Sequence, residues 1–291
     1  MSAVAHGPWQ QRDAAPIGQF RPFSPSDWQG KAAPALDWIV EGCFLRGTVA
    51  MLSGDGGLGK SLLMQQLCTA AATGRSWLGL RTKQCRAFAL FCEDDAHELH
   101  RRQMRINAHY GIESGDLTEV MYASRAGEDS ILMRFDKWGQ QGTPTPLFDQ
   151  LTHACRQLGA EIIIIDTLAD VFSGNEIDRN QPRTFVRALR RLAMACQGVV
   201  ILTQHPSLQG LSSGSGLSGS TGWNNSVRSR LYLTSDKKAE DDTLRELKTM
   251  KSNSGPTGNK LKLRWCNGVF QVDEPPAARH YSDPDQAEWP L

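Results

Sequence analysis

The stretch "GDGGLGKS", Gly54–Ser61, decides how the rest of this 291-residue chain is read. It matches G-x-x-x-x-G-K-[ST], a loop that cradles phosphate. The motif carries meaning only between a strand and a helix, and both flanks comply. "GTVAMLS" (47–53) is a short apolar run of strand character. "SLLMQQLCTAAATG" (61–74) has helical spacing and stops at Gly74. In such a loop Gly54, Gly56, Gly57 and Gly59 let backbone N–H groups turn inward around phosphate oxygens. The helix N-terminus adds partial positive charge. The expected nucleotide-binding set is Gly54, Asp55, Gly56, Gly57, Leu58, Gly59, Lys60, Ser61 and Leu62. Lys60 is expected to reach the β- and γ-phosphates, and the Ser61 hydroxyl to ligate Mg²⁺. The ligands implied are ATP and Mg²⁺; the bland alternative is a glycine-rich turn without a ligand.

Hydrolysis needs more than the loop. A metal-holding acid is expected at the end of a buried strand, and "IIIID" supplies Asp166; the competing role for such an Asp is a helix cap. A water-activating base is also needed. "RAFALFC" (86–92) reads as a second strand and is followed by Glu93, the best general-base candidate if its strand lies near the phosphate loop. Asp94 and Asp95 read as the start of the next helix, which runs to about Tyr110. "GVVILTQHP" (198–206) ends a further strand at Gln204 and His205, either of which is placed to sense the γ-phosphate or simply to form a turn.

Strands alternate with helices from Leu36 to Gln204. "TEVMYAS" (118–124) reads as a strand, 144–158 and 184–196 as helices, and "EIIIID" (161–166) as a strand buried on both faces. This order predicts an α/β fold with a mainly parallel sheet. "SRLYLTS", "LRELKTMK", "KLKLRWC" and "VFQV" then follow as strands without helices between them, with Asn267-Gly268 marking a hairpin. Residues 1–33, with Trp9, Phe20, Phe23 and Trp28, read as a poorly ordered arm, 34–273 as one domain, and 274–291 as a Pro-rich acidic tail. "SSGSGLSGSTG" (212–222) has the composition of a linker between domains or of a mobile loop inside one domain.

The formal net charge of +1 gives no global sign of nucleic-acid or membrane binding. No run approaches the roughly 18 apolar residues of a membrane span, and the N-terminus lacks the pattern of a signal peptide. Seven cysteines without a C-x-x-C pair suit mostly buried, reduced thiols. A cytoplasmic location is the expectation.

The series of phosphate loop, Glu93, Asp166 and a strand ending in Gln204-His205 resembles the RecA-like ATPase core. Over roughly residues 35–272 the chain is also similar to hexameric plasmid replicative helicases of the RepA type. The stretches carrying this are "LDWIVEGCFLRGTVAMLSGDGGLGKSLLMQQLCTAAATG" and "ALFCEDDAHELHRRQ". The resemblance implies a ring with ATP between subunits, a neighbour's arginine on the γ-phosphate, and single-stranded DNA in the channel. The matching arginine is Arg228, with Arg230 as runner-up. "KSNSGPTG" (251–258) resembles a DnaB-type turn that supplies a lysine and an arginine to the neighbour. Lys251 is kept, but Asn253 stands at the arginine position. Arg102 falls near where an arginine lies against the adenine in RepA-type proteins, or else on the surface. The implied activity is that of an ATP-driven replicative helicase of a plasmid or phage. The alternative is an ATP-switched DNA-binding or partner-loading protein that does not unwind. The segments 168–181 and 206–223 are expected to face DNA, although the second contains no Lys or Arg. A helix beginning near Pro182 carries Arg183, Arg187, Arg190 and Arg191 over roughly a 100° arc; this stripe reads as a solvated face, a DNA contact or a subunit contact.

Overall fold

A computed structural model describes residues 21–136, 141–217, 221–235 and 241–273. The chain divides into two compact units, Met1–Ala35 and Leu36–Leu291. In the first, a single 3₁₀ turn spans Pro25–Trp28. Its Ser24–Asp27 capping box is complete, and Phe23 and Trp28 stack at 5.4 Å. Trp9, Phe20 and the 274–291 tail lie outside the described residues.

The second unit opens with a hairpin of β1 (Trp38–Val40) and β2 (Phe44–Leu45), then β3 (Thr48–Gly54) and α1 (Lys60–Ala72). Next come β4 (Ala87–Phe91), α2 (Ala96–Tyr110) and β5 (Val120–Ser124). A second hairpin, β6 (Met133–Phe135) with β7 (Gly142–Pro144), precedes α3 (Pro146–Leu158), β8 (Ile162–Asp166) and the short α4 (Leu168–Val171). Then come α5 (Asn180–Ala195), β9 (Val199–Gln204) and two short helices, α6 (Leu208–Ser212) and α7 (Thr221–Ser226). Four strands close the described chain: β10 (Ser229–Thr234), β11 (Leu244–Ser252), β12 (Lys260–Cys266) and β13 (Val269–Val272).

Nine strands form one sheet in the order β13-β12-β11-β10-β3-β9-β8-β4-β5. All pairs from β10 to β5 are parallel, and β10 to β13 pair antiparallel. The parallel strands feed both faces alternately. Ile162 and Ile164 of β8 pack with α1 and α2, whereas Ile163 and Ile165 pack with α3 and α5. That two-sided burial is why four isoleucines run without a polar break. Burying each is worth roughly 1.5–3 kcal/mol. α1 is buried almost all round, so its sequence carries no amphipathic stripe. α3 is capped by Thr145, starts with Pro146 and stops at Gly159 (φ +68°). Its buried face is centred on Phe148, Leu151 and Cys155.

Asn267 (φ +53°) and Gly268 (φ +83°) make the two-residue turn between β12 and β13. β13 is fixed to α1 by Gln66, whose amide donates to the Phe270 carbonyl at 3.0 Å and accepts from the Phe270 N–H at 2.9 Å. Within the segment 206–223, read from sequence as a loop, α6 occupies 208–212 and α7 begins at Thr221, while 213–217 are turn and irregular backbone. Ser207 caps α6 through the Gly210 N–H. A Cβ on Gly210 would meet the Leu217 carbonyl, and one on Gly216 would meet the Tyr232 ring at 2.5 Å. These glycines serve close packing rather than motion; residues 218–220 lie outside the described residues. Among the described residues no helix is long and apolar enough to cross a membrane. The seven cysteines are free, and five are buried; burial pushes the Cys92 thiol up to about 12.

Candidate nucleotide site

The C-terminal ends of the parallel strands open onto one cleft of about 330 Å³, the edge where α/β sheets bind ligands. β3 delivers the phosphate loop. Gly57 (φ +71°) and Gly59 (φ +93°) are left-handed. A Cβ on Gly59 would lie 2.6 Å from the Phe270 ring, whereas Gly56 and Gly57 face open space. A larger residue is therefore excluded at Gly59 on two counts. The Lys60 ammonium donates to the Gly54 carbonyl at 2.8 Å and the Asp55 carbonyl at 3.0 Å, and lies 3.5 Å from His205 Nδ1. Burial lowers its pKa, opposed by the charges of Asp166, Glu93 and Asp55.

Asp166 ends β8 and is almost fully buried. Its carboxylate accepts hydrogen bonds from the hydroxyls of Thr203 and Ser61. Burial pushes it up in pKa; those two bonds and Lys60 hold it down. The Ser61–Asp166 pair fits Mg²⁺, which takes one or two protein oxygens and leaves the remainder to phosphates and water. Among the described residues no cluster of three His, Cys, Asp or Glu offers a cage of its own.

Glu93 follows β4, three strands from β3 rather than next to it. It still lines the cleft, because every parallel strand ends on the same edge. The Glu93 carboxylate is exposed and makes no hydrogen bond or ion pair among the described residues. Its pKa is raised by partial burial, then by Asp166 and Asp170, with Lys60 opposing. Asp95 caps α2 by accepting from the Glu98 N–H at 2.7 Å. Asp94 instead clasps Arg102 through both carboxylate oxygens, and Glu98 holds the same guanidinium at 2.9 Å. Arg102 thus sits in the cleft, tied to acids.

The two residues ending β9 part company. Gln204 is buried and donates to the Ser53 hydroxyl at 2.8 Å; its own side-chain oxygen finds no partner. His205 lines the cleft beside Lys60, and burial followed by the Lys60 charge lowers its pKa. The neutral imidazole is therefore favoured near neutrality.

Arg228, Arg230 and Lys251 gather at the opposite end of the sheet. The Arg228 N–H donates to the Val49 carbonyl, five residues before Gly54, on the order of 16 Å away along the strand. Its side chain is exposed. Asn253 holds it by donating from its backbone to the Arg228 carbonyl at 3.0 Å. With its side-chain amide oriented by the hydrogen-bond network, Asn253 also accepts from the Arg228 guanidinium at 3.1 Å. Arg230 is buried and spent internally, donating to Asn224 Oδ1 at 3.0 Å and the Ser215 carbonyl at 2.8 Å. Lys251 opposes Arg230 across β10 and β11 and donates to the Asn224 carbonyl. Burial, then Arg228 and Arg230, lower its pKa.

Thr203, Arg105 and Trp265 also belong to this neighbourhood and were not singled out from sequence. Arg105 and Trp265 line the cleft, and Trp265 is 44% exposed at the β12–β13 turn.

Fold and cleft together define an α/β P-loop NTPase of RecA-like type. A family model described as AAA domain matches residues 15–210, and the chain belongs to this family of P-loop ATPases. The match ends before β10–β13. No curated protein matches the chain.

Proposed function

We propose that the protein is an ATP-hydrolysing ring motor on single-stranded DNA, of the plasmid or phage replicative helicase kind. The observation carrying this reading is the two-ended layout of the sheet. Lys60, Ser61, Glu93 and Asp166 face one edge, while the exposed Arg228 lies on the order of 16 Å away at the other. Arg228 is out of reach of its own phosphate loop, and its exposed guanidinium would leave the Asn253 side chain to complete a neighbour's. The buried Arg230 is not.

ATP binds with its phosphates on the N–H groups of residues 54–62. Lys60 shifts from the Gly54 and Asp55 carbonyls to the β- and γ-phosphates. Ser61 and Asp166 would hold Mg²⁺, which when bound would supply neutralisation of the charge developing on the phosphates. Glu93 accepts the proton of the attacking water. His205 reads the γ-phosphate through Lys60, and Gln204 transmits through Ser53. Arg228, assisted by Lys251, arrives from the adjacent subunit.

Trp265 and the Arg102–Arg105 side of the cleft form a platform for the adenine. Trp265→Ala should raise KM for ATP about tenfold with little change in kcat, since base–aromatic stacking is worth about 1–3 kcal/mol; Trp265→Phe should retain most of the affinity. An unchanged KM in the alanine variant removes the platform.

Strand displacement on a forked duplex, measured beside DNA-stimulated ATP hydrolysis, tests the function. ATP-dependent displacement is expected. Stimulated hydrolysis without displacement identifies an ATP-switched DNA-binding or loading protein instead.

A further inference from the structure

A second groove, of about 740 Å³, lies between α5 and α7, away from the nucleotide cleft. Arg179, Arg183, Arg187 and Arg190 line one side, and Asn225 and Ser226 the other. All four arginines are exposed, and among the described residues none of them pairs with a carboxylate. Phe185, Leu189 and Leu192 are buried on the opposite face of α5, so the helix cannot roll its charges away. Like charges four residues apart destabilise a helix. Arg179, Arg183 and Arg187 recur every four residues, about 6 Å along the axis. That step matches successive phosphates of an extended strand, and a guanidinium fork suits phosphate oxygens. The wall opposite offers amide and hydroxyl groups rather than acids. An evenly stepped linear groove favours a linear polyanion over the scattered carboxylates of a folded surface. Its position also supplies the positive charge that 206–223 lacks, since α7 directly follows that segment's glycine-rich part.

We propose that this groove carries the phosphate backbone of a single-stranded nucleic acid, about one phosphate per turn of α5. The single-stranded form rests on the motor reading above; the polyanion chemistry does not. The test is anisotropy of a fluorescein-labelled oligothymidylate with the full chain and a non-hydrolysable ATP analogue, over a salt series. Arg183→Ala/Arg187→Ala should weaken binding at least tenfold. It should also flatten the slope of log affinity against log salt by about 1.4, at about 0.7 for each single-strand phosphate left without its arginine. Arg183→Lys/Arg187→Lys should keep the slope. DNA-independent hydrolysis and sedimentation should stay as in the wild type. If the wild type binds and the alanine pair binds equally with the same slope, the inference is overturned and the motor reading stands. If the pair instead changes sedimentation while binding is unaltered, the face is a subunit contact and the inference fails. If the wild type binds no oligothymidylate, both fall.

Discussion

Glu93→Gln should lower ATP turnover by about 10²–10⁴-fold, the usual contribution of a positioned general base, while nucleotide binding survives. The substitution keeps the shape of the side chain and removes only its ability to take a proton. Glu93 has no structural duty to lose, for its carboxylate bonds to nothing among the described residues. The environment also sets a pH signature. Partial burial and the neighbouring Asp166 and Asp170 raise the Glu93 pKa. A base must be deprotonated to act, so kcat/KM, which reports the free enzyme, should fall with decreasing pH through a midpoint above the ordinary glutamate value. Glutamine should abolish that limb. An unshifted acid limb in the wild type, or one that persists in the variant, assigns the proton to another group.

Arg228→Ala should cost still more, about 10³–10⁵ in turnover, the range measured for arginines supplied to a phosphoryl transition state. The residue is exposed and immediately precedes β10, so truncation leaves its backbone pairing with Val49 intact. ATP binding should change little, because the guanidinium acts on charge that develops during transfer. Arg230→Ala provides the contrast. It strips hydrogen bonds from Asn224 and the Ser215 carbonyl in a buried setting, so its damage should appear as lost stability. Equal turnover in Arg228→Ala and wild type rules the arginine out.

Much of this site is legible in the sequence because the chemistry sits where local patterns change. Lys60 and Ser61 open a helix after a glycine-rich loop, and Asp166 closes an apolar run. Glu93 follows a strand, and its place in the cleft holds although β4 proved distant from β3. Strand ends are harder. Gln204, turned inward to Ser53, and His205, turned to Lys60, are consecutive residues, and period-two alternation cannot say which faces the ligand. Arg228 and Arg230 differ in a way the sequence does not announce: Arg228 is exposed, whereas Arg230 is buried and bonded to Asn224 and the Ser215 carbonyl. Trp265 and Arg105 were illegible for a longer-range reason. Trp265 lines the cleft on a hairpin whose second strand Gln66 grips at Phe270, 204 residues further along the chain, and Arg105 lines it from α2. Gly210 and Gly216 read as flexible by composition, yet the Leu217 carbonyl and the Tyr232 ring occupy the space their side chains would need.

Mixing Glu93→Gln with Arg228→Ala protein tests the proposal that each hydrolytic site is completed by a neighbouring subunit. In a head-to-tail ring, an Arg228→Ala subunit keeps its own Glu93 and receives Arg228 from a Glu93→Gln neighbour, so random mixing restores about a quarter of the interfaces. Two nearly inactive preparations should therefore regain turnover well above either alone, approaching that fraction of wild type. Turnover no greater than the average of the two separate variants would contradict the shared site.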